Sequence, residues 1–212
     1  MRRRTSAYKP TRSPASVWTR RGEAPPPETI ADPPARLLEE LAAVGGQGRR
    51  VAGAADVRDY VVALAREREA KLLLRWDDPF LEELDIDAAL AEEGVEVVVW
   101  RDLEDFREVV GRADIGLSAP AWGIAETGSI AVESGPGRGR VVTLLPPCHV
   151  SVLPAERVLP TVADVIGHYA RAGEALPSGL AFHTGPSRTG DIEQTLATGV
   201  HGPGDVHVLL MG

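Results

Sequence analysis

The stretch VRDYVVALAREREAKLLLRW, residues 57–76, decides the class of fold. In its first part, Val57, Val61 and Leu64 recur at the spacing of one helical face, which predicts an amphipathic helix. The run LLLRW at 72–76 has no such period and predicts a buried strand. A helix that leads directly into a buried strand is typical of α/β folds.

The same alternation continues on both sides of this unit. The pattern predicts a helix at 36–44, a short strand at 50–52, a helical region at 81–92, a strand at 95–100 and a helix at 103–110. Short connections between alternating strands and helices imply right-handed crossovers. We therefore expect an α/β fold of three layers, in which a mostly parallel sheet is flanked by helices.

The pattern changes after Ala113, where Gly and Pro clusters separate shorter apolar runs. These runs predict strands at 115–117, 129–133, 140–145, 149–153, 180–182 and 206–210, with helices at 162–172 and 191–197. We expect the additional strands of this C-terminal half to be added to the sheet as extra strands or hairpins.

Composition divides the chain into two parts. Residues 1–35 hold seven of the 17 prolines and seven basic against three acidic side chains, which predicts a flexible arm. Residues 36–212 carry 16 basic and 28 acidic side chains, a net charge of −12, and are expected to form a single domain. Such a charge repels phosphate backbones, so no nucleic-acid binding is expected of the domain.

Several further classes of protein are excluded by what the chain lacks. A single cysteine, Cys148, excludes an intrachain disulfide framework and an iron–sulfur cluster held by cysteines of this chain alone. No apolar run approaches the ~18–20 residues that cross a bilayer, so we expect a cytoplasmic protein without membrane contact. His201 and His207 have no third ligand at a recognised spacing, so no metal site is expected.

The segment FHTGPSRTGDIE, residues 182–193, is the best candidate for a binding site. It predicts a strand, a Gly-Pro turn and a helix start, where free backbone N–H groups favour an anion. The hydroxyls of Ser187 and Thr189 and the forked cation of Arg188 would complete such an anion site. Equally, Ser187 or Thr189 could simply cap the helix.

Three further residues stand on loops rich in glycine and proline. Glu126 could act as a base or nucleophile if burial raises its pKa, although a solvated loop acid or an ion pair with an arginine is the commoner fate of such a residue. His201 lies between glycines and a proline, a constrained position that favours a functional role over His168 and His207. His149 could instead point into the core.

Five motifs in order resemble those of the LUD domain, and within it the lactate-utilisation protein C proteins of bacteria. They are ADIG at 113–116, GIAETGS at 123–129, LLP with His149 at 144–149, GPSRTGDIE at 185–193 and GVHGP at 199–203. The resemblance covers roughly residues 36–212 and implies a fold similar to the NagB/RpiA/CoA-transferase-like group. It also implies a role in oxidising L-lactate to pyruvate beside two partners, one of them an iron–sulfur protein.

The resemblance and the residues together give a predicted site. We expect iron–sulfur clusters on a partner subunit and no cofactor in this chain, together with a small carboxylate or phosphate as its ligand. The expected catalytic residues are Glu126 and His201. The expected substrate-binding residues are Gly128, His149, Gly185, Ser187, Arg188, Thr189 and Gly202.

Two other classes of function remain open on the same residues. In a CoA or acyl transferase, Glu126 would form an acyl anhydride, whereas in a sugar-phosphate isomerase it would act as the base. In a non-catalytic scaffold subunit, the loops would form only a docking surface. The sequence leaves the choice between a catalytic and an accessory subunit open.

Overall fold

A computed structural model describes residues 29–102, 106–172, 177–190, 196–198 and 202–212. The arm expected at 1–35 therefore lies almost entirely outside the described residues. The first helix begins at Pro33, where proline suits the first helical position because its missing N–H would have no partner there. Asp32 caps this helix, since its carboxylate accepts a hydrogen bond from the backbone N of Ala35 at 3.1 Å.

The described elements alternate as the sequence predicts in the first half. The helices are α1 (Pro33–Ala43), α2 (Ala54–Glu67), α3 (Pro79–Glu82), α4 (Ile86–Glu92), α5 (Phe106–Arg112), α6 (Val141–Leu144) and α7 (Val162–Ala172). The strands are β1 (Gln47–Val51), β2 (Leu72–Arg75), β3 (Glu96–Val99), β4 (Ile115–Ser118), β5 (Trp122–Ile124), β6 (Ser129–Ser134), β7 (Cys148–Pro154), β8 (Val158–Leu159), β9 (Gly179–His183), β10 (Arg188–Gly190), β11 (Leu196–Thr198) and β12 (Asp205–Met211). Short 3-10 turns cover Trp100–Asp102, Ala125–Thr127 and Ala155–Arg157.

Six strands form one sheet in the order β1-β12-β7-β4-β2-β3, and every neighbouring pair is parallel. The central strands β2 and β4 are buried at every position, as expected of strands that are covered on both faces. The expected parallel α/β sheet is confirmed. The similarity to the NagB/RpiA/CoA-transferase-like group stays a prediction.

Alternation along the strands decides which helix covers which face. Gln47 pairs with His207, and the His207 ring contacts Tyr60 of α2, so α2 covers this face. The next pair, Gly48 with Val208, points to the opposite face. A Cβ on Gly48 would lie 2.4 Å from Leu38 Cδ2, which places α1 on that opposite face.

A second sheet in the order β8-β5-β6-β9 contains both parallel and antiparallel pairs. On β6, Ile130 and Val132 belong to the main core, whereas Ala131 between them packs with Ile124 and with Val165 of α7. The two faces of β6 therefore join different clusters, and this sheet lies between the main core and α7. Of the strands expected in the C-terminal half, those at 115–117, 149–153 and 206–210 belong to the first sheet, whereas those at 129–133 and 180–182 belong to this separate one.

Two expected elements are wrong. The β-branched run at 140–145 was expected to be a strand, but Val141–Leu144 is helix α6. Its backbone crosses β4 so closely that a Cβ on Gly116 would lie 1.9 Å from the carbonyl O of Val142. Packing of the buried Val142 over this glycine therefore overrides the strand propensity of the run.

The prediction of a helix at 191–197 is wrong for its last residues. Residues 196–198 form β11, which pairs antiparallel with β10 at 188–190. Residues 191–195 lie outside the described residues. Residues 188–190 form a strand, so the structure gives no support for an anion site built on a helix N-terminus beside Ser187. No helix in the described part of the chain is long and apolar enough to cross a membrane.

Candidate functional site

Four of the predicted site residues line one small cavity of about 140 Å³ at the amino-terminal ends of β7 and β12. We call this cavity the imidazole pocket because two histidines contribute to its wall. Its lining consists of Thr143, Leu144, His149, His183, Thr184, Gly185, Ser187, Gly202, Pro203 and Val206. Three separate stretches of chain meet here, those of the motifs around His149, Ser187 and Gly202, whereas no residue of the motif at 123–129 is among the lining.

His149 forms the buried wall of the imidazole pocket. It is the second residue of β7, pairs with Gly116 on β4 and is 1% exposed. Its Nε2 lies 2.8 Å from Ser118 Oγ and 3.2 Å from Ser151 Oγ. Burial, helped by nearby His183 and His207, lowers the pKa of His149 to about 3. The ring is therefore neutral at physiological pH and holds its place through the two hydroxyls.

His183 lines the pocket but was not predicted from the sequence. It ends β9, and its ring centroid lies 6.4 Å from that of His149. Burial lowers the pKa of His183 as well, so this ring is also neutral near pH 7 and can accept a proton. Its position directly before the Thr184-Gly185 turn, at the end of an expected strand, is the signal that could have identified it.

The loops around Gly185 and Gly202 are held against each other. The backbone N of Ser187 donates a hydrogen bond to the carbonyl O of Pro203 at 2.9 Å. A Cβ on Gly202 would lie 3.2 Å from the Cβ of Ser187, so the two loops approach closely. The Ser187 N–H is thus already used and is not available to an anion, contrary to the expected cradle. Its hydroxyl remains on the pocket wall.

Gly185 and Gly128 are required by the fold. Gly185 has a φ of +65°, and a Cβ there would lie 2.6 Å from Val44 Cγ2. Gly128 has a φ of +64°, and a Cβ there would lie 2.3 Å from the backbone N of Leu41. Both positions need glycine because the chain is left-handed and packs against the C-terminal end of α1. Gly128 does not line the imidazole pocket.

Glu126 lies apart from the histidines. Its Oε1 accepts a hydrogen bond of 2.7 Å from the backbone N of Val162, so the carboxylate caps α7. The side chain is exposed and does not line the imidazole pocket. Among the described residues Glu126 has neither a buried setting nor an ion pair with an arginine, and its exposure agrees with the alternative of a solvated loop acid. The capping role was not foreseen.

Three predicted site positions cannot be placed in the pocket or away from it. His201 lies outside the described residues, as do the side chains of Arg188 and Thr189. The backbone of Arg188 and Thr189 belongs to β10, directly after Ser187.

No metal centre is found in the part of the chain that the structure describes, where no three His, Cys, Asp or Glu side chains lie close enough to share an ion. His207 lies on the other face of the sheet, with its Nδ1 2.7 Å from the hydroxyl of Tyr60. Cys148 is buried, and burial raises the pKa of its thiol to about 12. This thiol stays protonated and is a poor nucleophile.

A larger cavity of about 820 Å³ lies at the opposite edge of the six-stranded sheet. Asp77 and Asp78 follow β2 there, Ala119 follows β4, and Pro154 ends β7. We call it the edge cavity. This cavity was not predicted from the sequence, although residues that directly follow buried parallel strands are a signal for such a site.

Comparison with known proteins gives consistent similarities. The family model described as LUD domain matches residues 35–211. Lactate utilization protein C of Halalkalibacterium halodurans is 36% identical over 140 residues, which cover 65% of this chain and 61% of that protein. The uncharacterized protein YkgG of Escherichia coli is 32% identical over 154 residues, which cover 70% of this chain and 66% of that protein. The chain thus matches somewhat less than two thirds of the length of either relative.

One solved structure supports the fold. A crystal structure of a DUF162 family protein from Deinococcus radiodurans superposes with a TM-score of 0.60 and 21% sequence identity. The superposition covers 88% of this chain and 100% of that chain. At this identity the likeness concerns the architecture alone.

Proposed function

Since the chain belongs to the LUD domain family, we propose that it is a component of a lactate-utilisation system and binds a small 2-hydroxy or 2-oxo carboxylate in the imidazole pocket. The observation that carries the proposal is the convergence of His149, His183 and Ser187 on one cavity of about 140 Å³. A cavity of this size can hold a three-carbon acid.

The polar groups of the pocket suit a hydroxy acid. Neutral imidazoles and a hydroxyl can hydrogen-bond either a C2 hydroxyl or a C2 carbonyl, because each can donate or accept. His183, whose pKa is lowered by burial, would take the hydroxyl proton when a 2-hydroxy acid is oxidised. His201, directly before Gly202, stays a second candidate for this role.

The carboxylate of the ligand needs a cation that the described wall of the pocket does not contain. Arg188 follows the pocket residue Ser187 directly in the chain and is the proposed partner. A bidentate arginine–carboxylate contact contributes on the order of 1.5–3 kcal/mol to binding. The Ser187 hydroxyl would add a neutral hydrogen bond.

Oxidation of a 2-hydroxy acid to a 2-oxo acid releases two electrons and two protons. We propose that the electrons pass to iron–sulfur clusters and that the second proton, from C2, leaves to solvent. These clusters would lie on partner proteins, because a chain with one cysteine cannot hold such a cluster by itself. Acyl transfer and sugar-phosphate isomerisation are not part of the proposal. Both would need Glu126 at the ligand, and its carboxylate caps α7 instead.

Calorimetric titration of the purified chain with L-lactate and pyruvate tests the proposal. Arg188→Ala should weaken binding roughly tenfold to a hundredfold, and Ser187→Ala should weaken it several-fold. Arg140→Ala is the matched control, because Arg140 is an exposed arginine outside the pocket. If neither acid binds, or if all three variants bind like the original protein, the proposed ligand site is wrong.

A further inference from the structure

The edge cavity has the position expected of a ligand site and belongs to no part of the proposed lactate site. It opens where β2, β4 and β7 end, and ligands of open α/β sheets bind outside the carboxyl ends of their strands. It shares no lining residue with the imidazole pocket. At about 820 Å³ it falls within the range of cavities that hold cofactor-sized molecules.

Two arginines and three carboxylates line the edge cavity, and one of the arginines has no partner among the described residues. Arg138 donates one hydrogen bond to Asp78 and one to Glu133, each at 2.9 Å. Glu133 also accepts a hydrogen bond from the Tyr169 hydroxyl. These groups satisfy one another, and burial together with Glu133 raises the pKa of Tyr169, which keeps its proton on the phenol.

Arg157 is the cation that remains. It lines the same cavity, is exposed, and has neither an ion pair nor a hydrogen bond with any other described residue. The third carboxylate of the wall, Asp77, is paired with Arg101, which does not itself line the cavity. An anion that enters would therefore find a guanidinium with free donors and no unpaired carboxylate among these groups.

Part of the wall of the edge cavity is aromatic. Trp122 and His168 lie with their ring centroids 4.4 Å apart, and Trp122 is only partly buried. Ser134 also belongs to the lining, and its hydroxyl is buried without a hydrogen-bond partner among the described residues. A buried polar group of this kind needs a partner from solvent or from a ligand.

We infer that the edge cavity binds a mononucleotide, with its base against Trp122 and its phosphate at Arg157. A base offers a planar face that stacks on an indole ring, and a phosphate accepts both donors of a guanidinium fork. The sugar between them supplies hydroxyls within the polar part of the cavity. Neither the size of the cavity nor its aromatic wall is needed to hold a three-carbon acid, so this site goes beyond the proposed function.

Titration of the full chain with AMP, followed by calorimetry and by tryptophan fluorescence, tests the inference. AMP should bind more tightly than adenosine, which lacks the phosphate, and more tightly than ribose 5-phosphate, which lacks the base. Arg157→Ala should weaken AMP binding at least about tenfold and leave adenosine binding unchanged, because only the phosphate contact is lost. Arg140→Ala, which removes an exposed arginine outside the cavity, should change neither.

The outcomes separate this inference from the lactate site. Ser187→Ala should leave AMP binding unchanged, and Arg157→Ala should leave lactate binding unchanged, because the two cavities share no residue. Absence of AMP binding at millimolar concentration would overturn the nucleotide site and leave the lactate proposal standing. Equal binding of AMP and ribose 5-phosphate would overturn the role of Trp122, and equal effects of the two arginine variants would overturn that of Arg157.

Discussion

Acidification should destabilise this protein through His149, which is buried in the folded state without its proton. The pKa of His149 falls from 6.5 to about 3 on burial. Between these values the unfolded chain binds a proton that the folded chain does not, so stability is complete above about pH 6.5 and is lost as the pH falls. Each pH unit corresponds to about 1.4 kcal/mol, so at about pH 5 the free energy of unfolding is lower by roughly 2 kcal/mol.

Urea unfolding at several pH values measures this effect. His149→Gln should be less stable at neutral pH, because glutamine restores the contacts with Ser118 and Ser151 only in part, but its stability should fall less steeply with acid. The slope that remains belongs to other groups, including His183 and His207, whose pKa values are also lowered by burial. The control His168→Gln changes an exposed histidine and should keep the original slope. Equal slopes for the original protein and His149→Gln would refute the reasoning.

Two further changes test the packing and the buried charge. Gly116→Ala should lower the free energy of unfolding by about 1–3 kcal/mol in urea titration, since the new Cβ would lie 1.9 Å from the Val142 carbonyl O. The control is Gly111→Ala, which should be neutral or slightly stabilising because this helical position has open space around it. Asp87→Asn should lower the free energy of unfolding by about 2–3 kcal/mol in the same assay, because it removes the carboxylate bound by the buried guanidinium of Arg75. This loss is smaller than for a fully buried ion pair, since Asp87 is partly exposed to solvent. A loss below about 0.5 kcal/mol would contradict the reasoning.

The first half of the fold could be predicted because its signals are local. Helix α2 and strand β2 follow from the spacing of apolar residues between 57 and 76, and their packing agrees with that spacing. The second half depends on pairing between distant segments. That β6 and β9 form a separate sheet is decided by register, such as Ala131 opposite Phe182, which no local pattern records.

The imidazole pocket was predicted only in part, because local motifs identify loops but not every contact that those loops make. The motifs identified loops that do converge, and His149, Gly185, Ser187 and Gly202 lie around one pocket. Glu126 stood out by the same signal of small neighbours, but its neighbour Gly128 serves the packing against α1, and Glu126 itself caps α7. Glycine with a positive φ is needed for close packing as much as for ligand contact, so the sequence could not separate the two uses.

Strand β7 contributes to both cavities. His149 near its start lines the imidazole pocket, and Val152 further along lines the edge cavity, three residues or roughly 10 Å away. A molecule in one cavity therefore contacts the same rigid segment as a molecule in the other. If a ligand in one cavity shifts β7, it changes the affinity of the other cavity for its own ligand. The second ligand must then change the affinity for the first by the same factor.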